Sequence, residues 1–181
     1  TFQELEEARK REYAIREGYG LKLMGFDIAR YGNDKNAAVC IQQMGALIWK
    51  VRHVDQWEKH DLAYTTGRII STAAELRSDG NIIDEDGIGA GPLDAINANI
   101  KDVERQYKGF RNIVYSYNDN KFYGNPRTAN AFKLKDYILK GHISLVNEDL
   151  CQELLTLRYT YSTDGRRILI SKEKMRAEGV R

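Results

Sequence analysis

Between residues 21 and 54 short apolar stretches alternate with turn-forming ones. Leu21–Ile28, Asn36–Gln42 and Ala46–Val54 are each rich in Ile, Val or Phe, and Tyr31-Gly32-Asn33-Asp34 and Met44-Gly45 separate them. Short apolar runs joined by such turns predict three strands in an antiparallel meander. The period then changes. Across residues 61–78, Leu62, Ile69, Ile70, Ala73, Ala74 and Leu76 recur near helical spacing until Asp79-Gly80 stops them, which predicts a crossover helix. Asn81–Asp84 reads as a short strand, Gly91–Lys101 as a helix and Arg111–Tyr117 as another strand. Helices over Thr128–Lys140 and Glu148–Tyr159 and a last strand over Arg166–Ser171 complete the pattern. Three antiparallel strands followed by helix-linked parallel ones predict an α/β fold, a mixed central sheet flanked by helices.

Residues 2–18 are charged and helix-favouring, and Gly18 and Gly20 separate them from the first apolar run. Residues 1–20 are therefore expected to form a linker or lead-in helix and residues 21–181 the domain proper. A start within a helix, and an end at Glu178-Gly179-Val180-Arg181 without a capping signal, suggest a piece of a longer polypeptide.

At 181 residues a single domain removes roughly two-thirds of its unfolded surface from water, so stability requires neither disulfides nor structural metal. Cys40 and Cys151 both lie in apolar runs and are expected as buried thiols in a reducing compartment. Two cysteines build no zinc site, and His53, His60 and His142 lack metal-ligand spacing. No serine or cysteine sits in a nucleophile elbow. Apolar stretches fall well short of the ~20 residues that span a bilayer, so a soluble intracellular protein without a membrane partner is expected. The balance of 28 basic and 26 acidic residues, net +2, decides nothing about nucleic acid, because a basic groove can be offset elsewhere.

The acids carry more information. Asp27 closes the apolar run Leu23-Met24-Gly25-Phe26, where a buried charge would be costly without a cation or donor. Asp84 closes Asn81-Ile82-Ile83 and is followed by Glu85, Asp86 and the turn Gly87-Ile88-Gly89-Ala90-Gly91. Carboxyl ends of neighbouring parallel strands are where ligands collect, so Asp27 and Asp84 converge if the first and fourth strands are neighbours. Clustered carboxylates stay ionised together when a hard divalent cation lies between them, Mg²⁺ or Mn²⁺ rather than Zn²⁺. Asp34 and Asp94 are weaker candidates, one in a hairpin turn and one on a helix. The glycine turn lacks the ending of a Walker loop and the spacing of a dinucleotide fingerprint, and reads instead as a tight turn that admits a DNA backbone.

Gly25-Phe26-Asp27-Ile28-Ala29-Arg30-Tyr31-Gly32-Asn33-Asp34-Lys35 resembles the first nuclease motif of phage terminase large subunits, an apolar strand ending in Asp-x-Ala-x-x-Gly. Ile82-Ile83-Asp84-Glu85-Asp86-Gly87-Ile88-Gly89-Ala90-Gly91 resembles the second, an apolar strand, Asp, two residues and Gly-x-Gly. Arg127-Thr128-Ala129-Asn130-Ala131, Leu154–Tyr159 and Arg167–Arg176 follow in the family's order.

The resemblance implies an RNase H-like endonuclease that cuts concatemeric double-stranded viral DNA through two Mg²⁺ or Mn²⁺ ions. Asp27, Asp84 and, as a substitute, Asp86 would be catalytic, with Asp27 and Asp84 on the metals. The family's third acid follows the C-terminal block and is expected beyond Arg181. An upstream ATPase motor, a portal protein and a small terminase subunit would be partners. The setting would be the host cytoplasm at the procapsid portal, not the mature virion. Arg30, Arg127, Lys133 and Lys172, with Lys121, Lys135, Arg166 and Arg167, are candidates for DNA phosphates. The aromatics around Asn118–Pro126, namely Tyr115, Tyr117, Phe122 and Tyr123, are expected to pack or to touch DNA. A junction resolvase or transposase core, half of an actin-like ATPase or sugar kinase, and a non-catalytic DNA clamp remain open from the residues alone.

Overall fold

The computed structural model describes residues 1–11, 20–28, 35–58, 60–83, 90–98, 112–114 and 121–179, with the backbone alone at 90, 93, 112–114 and 172. The chain divides into two compact units, Tyr13–Tyr115 and Thr1–Glu12 with Ser116–Arg181.

In the first of these, β1 (Lys22–Asp27), β2 (Asn36–Gly45) and β3 (Ile48–Trp57) form the expected meander. β4 (Gly80–Ile83) and β5 (Asn112–Val114) extend the sheet in parallel, giving the order β5-β4-β1-β2-β3. Alternation along β1 puts Met24 and Phe26 in the core and leaves Gly25 and Asp27 exposed. Phe26 lies opposite Ala38 on one side and Ile83 on the other, so the three share a face. Helix α2 (Leu62–Leu76) and helix α3 (Ala90–Ala98) cover that face through Ile69, Ala73 and Ile96.

Local chemistry sets where these elements start and stop. Asp61 caps α2 by accepting from the Tyr64 N–H at 2.8 Å. Arg77 ends the helix in the left-handed region at φ 53°. Buried Ser78 then donates to Asn81 at 2.9 Å, locking the turn into β4. At the front of β1, Gly20 has φ 108°, and a Cβ there would lie 1.9 Å from the Gln43 carbonyl oxygen. Only glycine fits so close to a neighbouring backbone.

The third strand runs on to Trp57, beyond the predicted end at Val54, because its last residues pair with Asn36–Ala38 at the start of β2.

In the second unit, α1 (Phe2–Lys10) packs against α4 (Pro126–Leu139) and α5 (Glu148–Thr156). Leu5 and Ala8 are buried, and the Ala8 carbonyl accepts from the Leu145 N–H at 3.1 Å. Arg11 donates to the Ile143 carbonyl at 2.9 Å, next to Ser144 in the two-residue strand β6 (Ile143–Ser144), whose hydroxyl donates to the Arg11 carbonyl at 2.7 Å. Residues 2–10 are thus helical as expected, while 12–19 lie outside the described residues. Helix α4 begins two residues before the expected Thr128: Asn125 accepts from the Thr128 N–H at 2.9 Å and Pro126 occupies the first turn.

One expectation fails here. The helix predicted over Glu148–Tyr159 ends at Thr156, and Tyr159–Tyr161 is instead β7, antiparallel to β8 (Arg167–Leu169). The hairpin turn carries Asp164-Gly165 with Gly165 at φ 79°, the turn chemistry that favours such pairing. A last helix, α6 (Lys172–Ala177), buries Met175 completely.

Candidate active site

The register around β1 is what brings the candidate acids into question. β1 and β4 are parallel neighbours, paired from Leu23 opposite Gly80 to Phe26 opposite Ile83. Each strand therefore ends its pairing one residue before an aspartate, Asp27 on one and Asp84 on the other. The adjacency of the first and fourth strands, on which convergence of the two acids depends, is present.

Asp27 itself is described: it ends β1, lies opposite Ala37 of β2 and is exposed. Its position in an apolar run is consequently not a buried one, because strand alternation turns it away from the face that holds Phe26. Desolvation does not single it out. What does is an open surface: Gly25, two residues earlier on the same face, would meet no atom of the described residues within 4 Å if it carried a methyl group. No hydrogen bond or ion pair to Asp27 is present among the described residues.

Asp84, Asp86, Arg30 and Asp34 lie outside the described residues, as do Gly87 and Gly89. Among the described residues no three His, Cys, Asp or Glu side chains gather around a possible ion site. Gly91 has a packing role on α3, since a Cβ there would lie 3.1 Å from Leu62 Cδ1 of α2. Asp94 is exposed on α3.

The basic candidates that are described belong to the second unit. Arg127 is exposed in the first turn of α4, and Lys133 and Lys135 are exposed farther along it. Lys172 opens α6, and its side chain lies outside the description. Arg166 pairs with Asp164 at 2.7 Å. The Arg167 guanidinium lies 5.1 Å from the Phe132 ring centroid. Tyr123 bridges to Arg167 and stacks on Phe132 at 5.4 Å, whereas Phe122 is 59% exposed with the Lys121 amine 5.3 Å away. The expected aromatic cluster thus divides into one packed ring and one exposed ring. Tyr115 and Tyr117 lie outside the described residues.

Both cysteines are buried and free, and burial raises both thiols above the ordinary value of 9.0. His60 stacks on Tyr64 at 4.1 Å and His142 meets Tyr137 edge-on at 5.6 Å, in keeping with structural roles. No helix among the described residues is long and apolar enough to cross a membrane.

No protein-family model matches the sequence, and no curated protein does. Solved structures do. The nuclease domain of the large terminase subunit gp2 of bacterial virus Sf6 superposes with a TM-score of 0.71 at 16% identity, over 98% of this chain and 90% of that one. The large terminase nuclease of thermophilic phage G20c with bound magnesium gives 0.65 at 11% identity, over 94% and 86%. The large terminase nuclease domain of Thermus phage P74-26 gives 0.57 at 10% identity, over 94% and 85%. A mixed sheet ordered β5-β4-β1-β2-β3 with helices on it, superposing on these domains over nearly its whole length, gives this chain the RNase H-like fold of phage large-terminase nuclease domains.

Proposed function

We propose that this chain is a divalent-metal-dependent endonuclease that cuts concatemeric double-stranded viral DNA during genome packaging. The observation that supports it is the parallel register of β1 and β4, which stops at Phe26 opposite Ile83, one residue short of Asp27 and of Asp84. Terminase nuclease domains of the same fold have been solved with manganese, calcium, magnesium and cobalt.

The donor set fits such ions. Asp27 offers an exposed carboxylate with no competing partner among the described residues, and the acids that follow β4 in sequence, Asp84, Glu85 and Asp86, are all oxygen donors. Oxygen donors without thiolate or imidazole suit Mg²⁺ or Mn²⁺. Asp27 and Asp84 would hold the ions, with Asp86 as a substitute for Asp84. A pair of such ions supplies activation of a water and neutralisation of the charge that builds on the leaving 3′ oxygen. The chain's own contribution is placement: pairing of β1 with β2 and β4 sets where the Asp27 backbone sits, and the surface at Gly25, open among the described residues, leaves room for a phosphodiester backbone. Exposed Arg127 and Lys133, with Arg30 and Lys172, take duplex phosphates without reading sequence. In this setting the chain works with an upstream ATPase domain, a portal protein and a small terminase subunit, in the host cytoplasm.

Plasmid digestion tests the reading. In a polypeptide that runs on past Arg181 through the expected third acid, nicking is expected with Mg²⁺ or Mn²⁺, none with EDTA, and none in Asp27→Asn or Asp84→Asn at unchanged circular dichroism. Undiminished cleavage in both variants refutes it.

A further inference from the structure

Between α4 and the β7–β8 hairpin lies a concavity of about 550 Å³, lined in part by Tyr123, Phe132, Tyr159, Lys133, Lys135 and Arg167. Its three aromatic rings, with Tyr161 next to Tyr159, form a continuous run. Tyr123 contacts Phe132 at 5.4 Å, Phe132 contacts Tyr159 at 5.2 Å, and Tyr159 contacts Tyr161 at 5.8 Å. The run is braced by Arg167, whose guanidinium lies over the Phe132 ring. Yet it is not hidden: Tyr159 is 47% and Tyr161 59% exposed. Large rings held in place and left in water are an interaction surface rather than a core.

Charge states what kind of partner fits. Residues 121–136 and 157–169, which supply this surface, carry seven basic and two acidic residues, while the rest of the chain carries 21 basic and 24 acidic. Of the two acids, Asp136 is paired with Lys140 at 2.8 Å and Asp164 with Arg166 at 2.7 Å. The partner is an anion that also offers flat apolar faces. Nucleic acid has both, but a duplex keeps its base faces stacked on one another, so exposed rings can engage only bases that have left the stack. Arginine beside the rings adds a cation–π contribution to such stacking.

We propose that this surface binds single-stranded DNA, taking unstacked bases on Tyr159 and Tyr161 and phosphates on Lys133, Lys135 and Arg167. The proposal takes its setting from the nuclease reading above, in which a cut duplex supplies frayed ends, but it concerns binding and not cleavage.

Fluorescence anisotropy with an oligothymidylate and a duplex of equal length, in EDTA, separates the two. The single strand is expected to bind more tightly. Tyr159→Ala and Tyr161→Ala are each expected to weaken it roughly fivefold or more with little change for the duplex, and Tyr161→Phe to retain wild-type affinity. Melting temperatures equal to wild type establish that the variants fold. Equal affinity for both DNAs, equal losses on both, no effect of the alanine variants, or no binding of the single strand each overturns the proposal. Metal-dependent cleavage that persists alongside any of these leaves the nuclease reading standing. Conversely, tyrosine-dependent binding in a chain that never cleaves sinks only the nuclease reading.

Discussion

Lys22 and Asp79 hold each other twice: the Asp79 carboxylate accepts from the Lys22 N–H at 2.8 Å, and the Asp79 N–H donates to the Lys22 carbonyl at 2.8 Å. The Lys22 amine continues the tie to the Leu76 carbonyl at 3.1 Å, at the end of α2. This junction sets β1 against β4 at the end opposite Asp27, and a parallel pair one residue out of step would turn the wrong side chains inward. Asp79→Ala removes the side-chain half of it. A loss of about 1 kcal/mol in urea unfolding is expected, the ordinary net value of one hydrogen bond; an unchanged midpoint would show that the backbone bond alone sets the register.

Metal should be detectable without turnover. At an Mn²⁺ concentration near one hundred times Kd, binding to the folded chain alone adds about 2.7 kcal/mol. For a chain of this size each kcal/mol raises Tm by about 2–4 °C. Differential scanning calorimetry is expected to show that rise in wild type and lose it in Asp27→Asn.

Gly20→Ala meets a steric limit that no side-chain adjustment relieves. The added Cβ would fall 1.9 Å from the Gln43 carbonyl oxygen, at a φ of 108° that alanine resists. Backbone outliers of this kind cost on the order of 1–3 kcal/mol before any clash is added. Chemical denaturation should therefore reveal a large loss, and Gly165→Ala, with open space around it, a smaller one.

Ile69 is fully buried between α2 and the sheet. Ile69→Ala leaves a cavity and is expected to cost about 2–5 kcal/mol in equilibrium unfolding.

Cys40 and Cys151 link stability to alkaline pH. Burial raises both thiols above 9.0 in the folded chain. Above that pH the unfolded chain has released protons that the folded chain still holds, so stability falls as pH rises, and the thiol contribution is intact below it. Comparing urea midpoints at pH 8 and pH 10 for wild type and Cys40→Ala should show the smaller alkaline drop in the variant.

The aromatic hairpin shows why some of this chain was hard to read in advance. Tyr159-Thr160-Tyr161 continues the spacing of α5, but Asp164-Gly165 just beyond it was a legible hairpin signal. The start of α4 was similarly visible in Asn125-Pro126. The extent of β3 had no such signal, because its last residues are held by partners in β2 that are far off in sequence.

By itself the sequence determined the meander, the crossover helix, the parallel pair that follows it and the two strand-ending acids, since these rest on local periodicity and on glycine and asparagine at the turns. Tertiary structure alone decided that β4 lies against β1, that Asp27 faces solvent and not the core, and that α1 packs with α4 and α5. Each of those depends on which surfaces meet, and residues distant along the chain exclude water from one another in ways that no local pattern encodes.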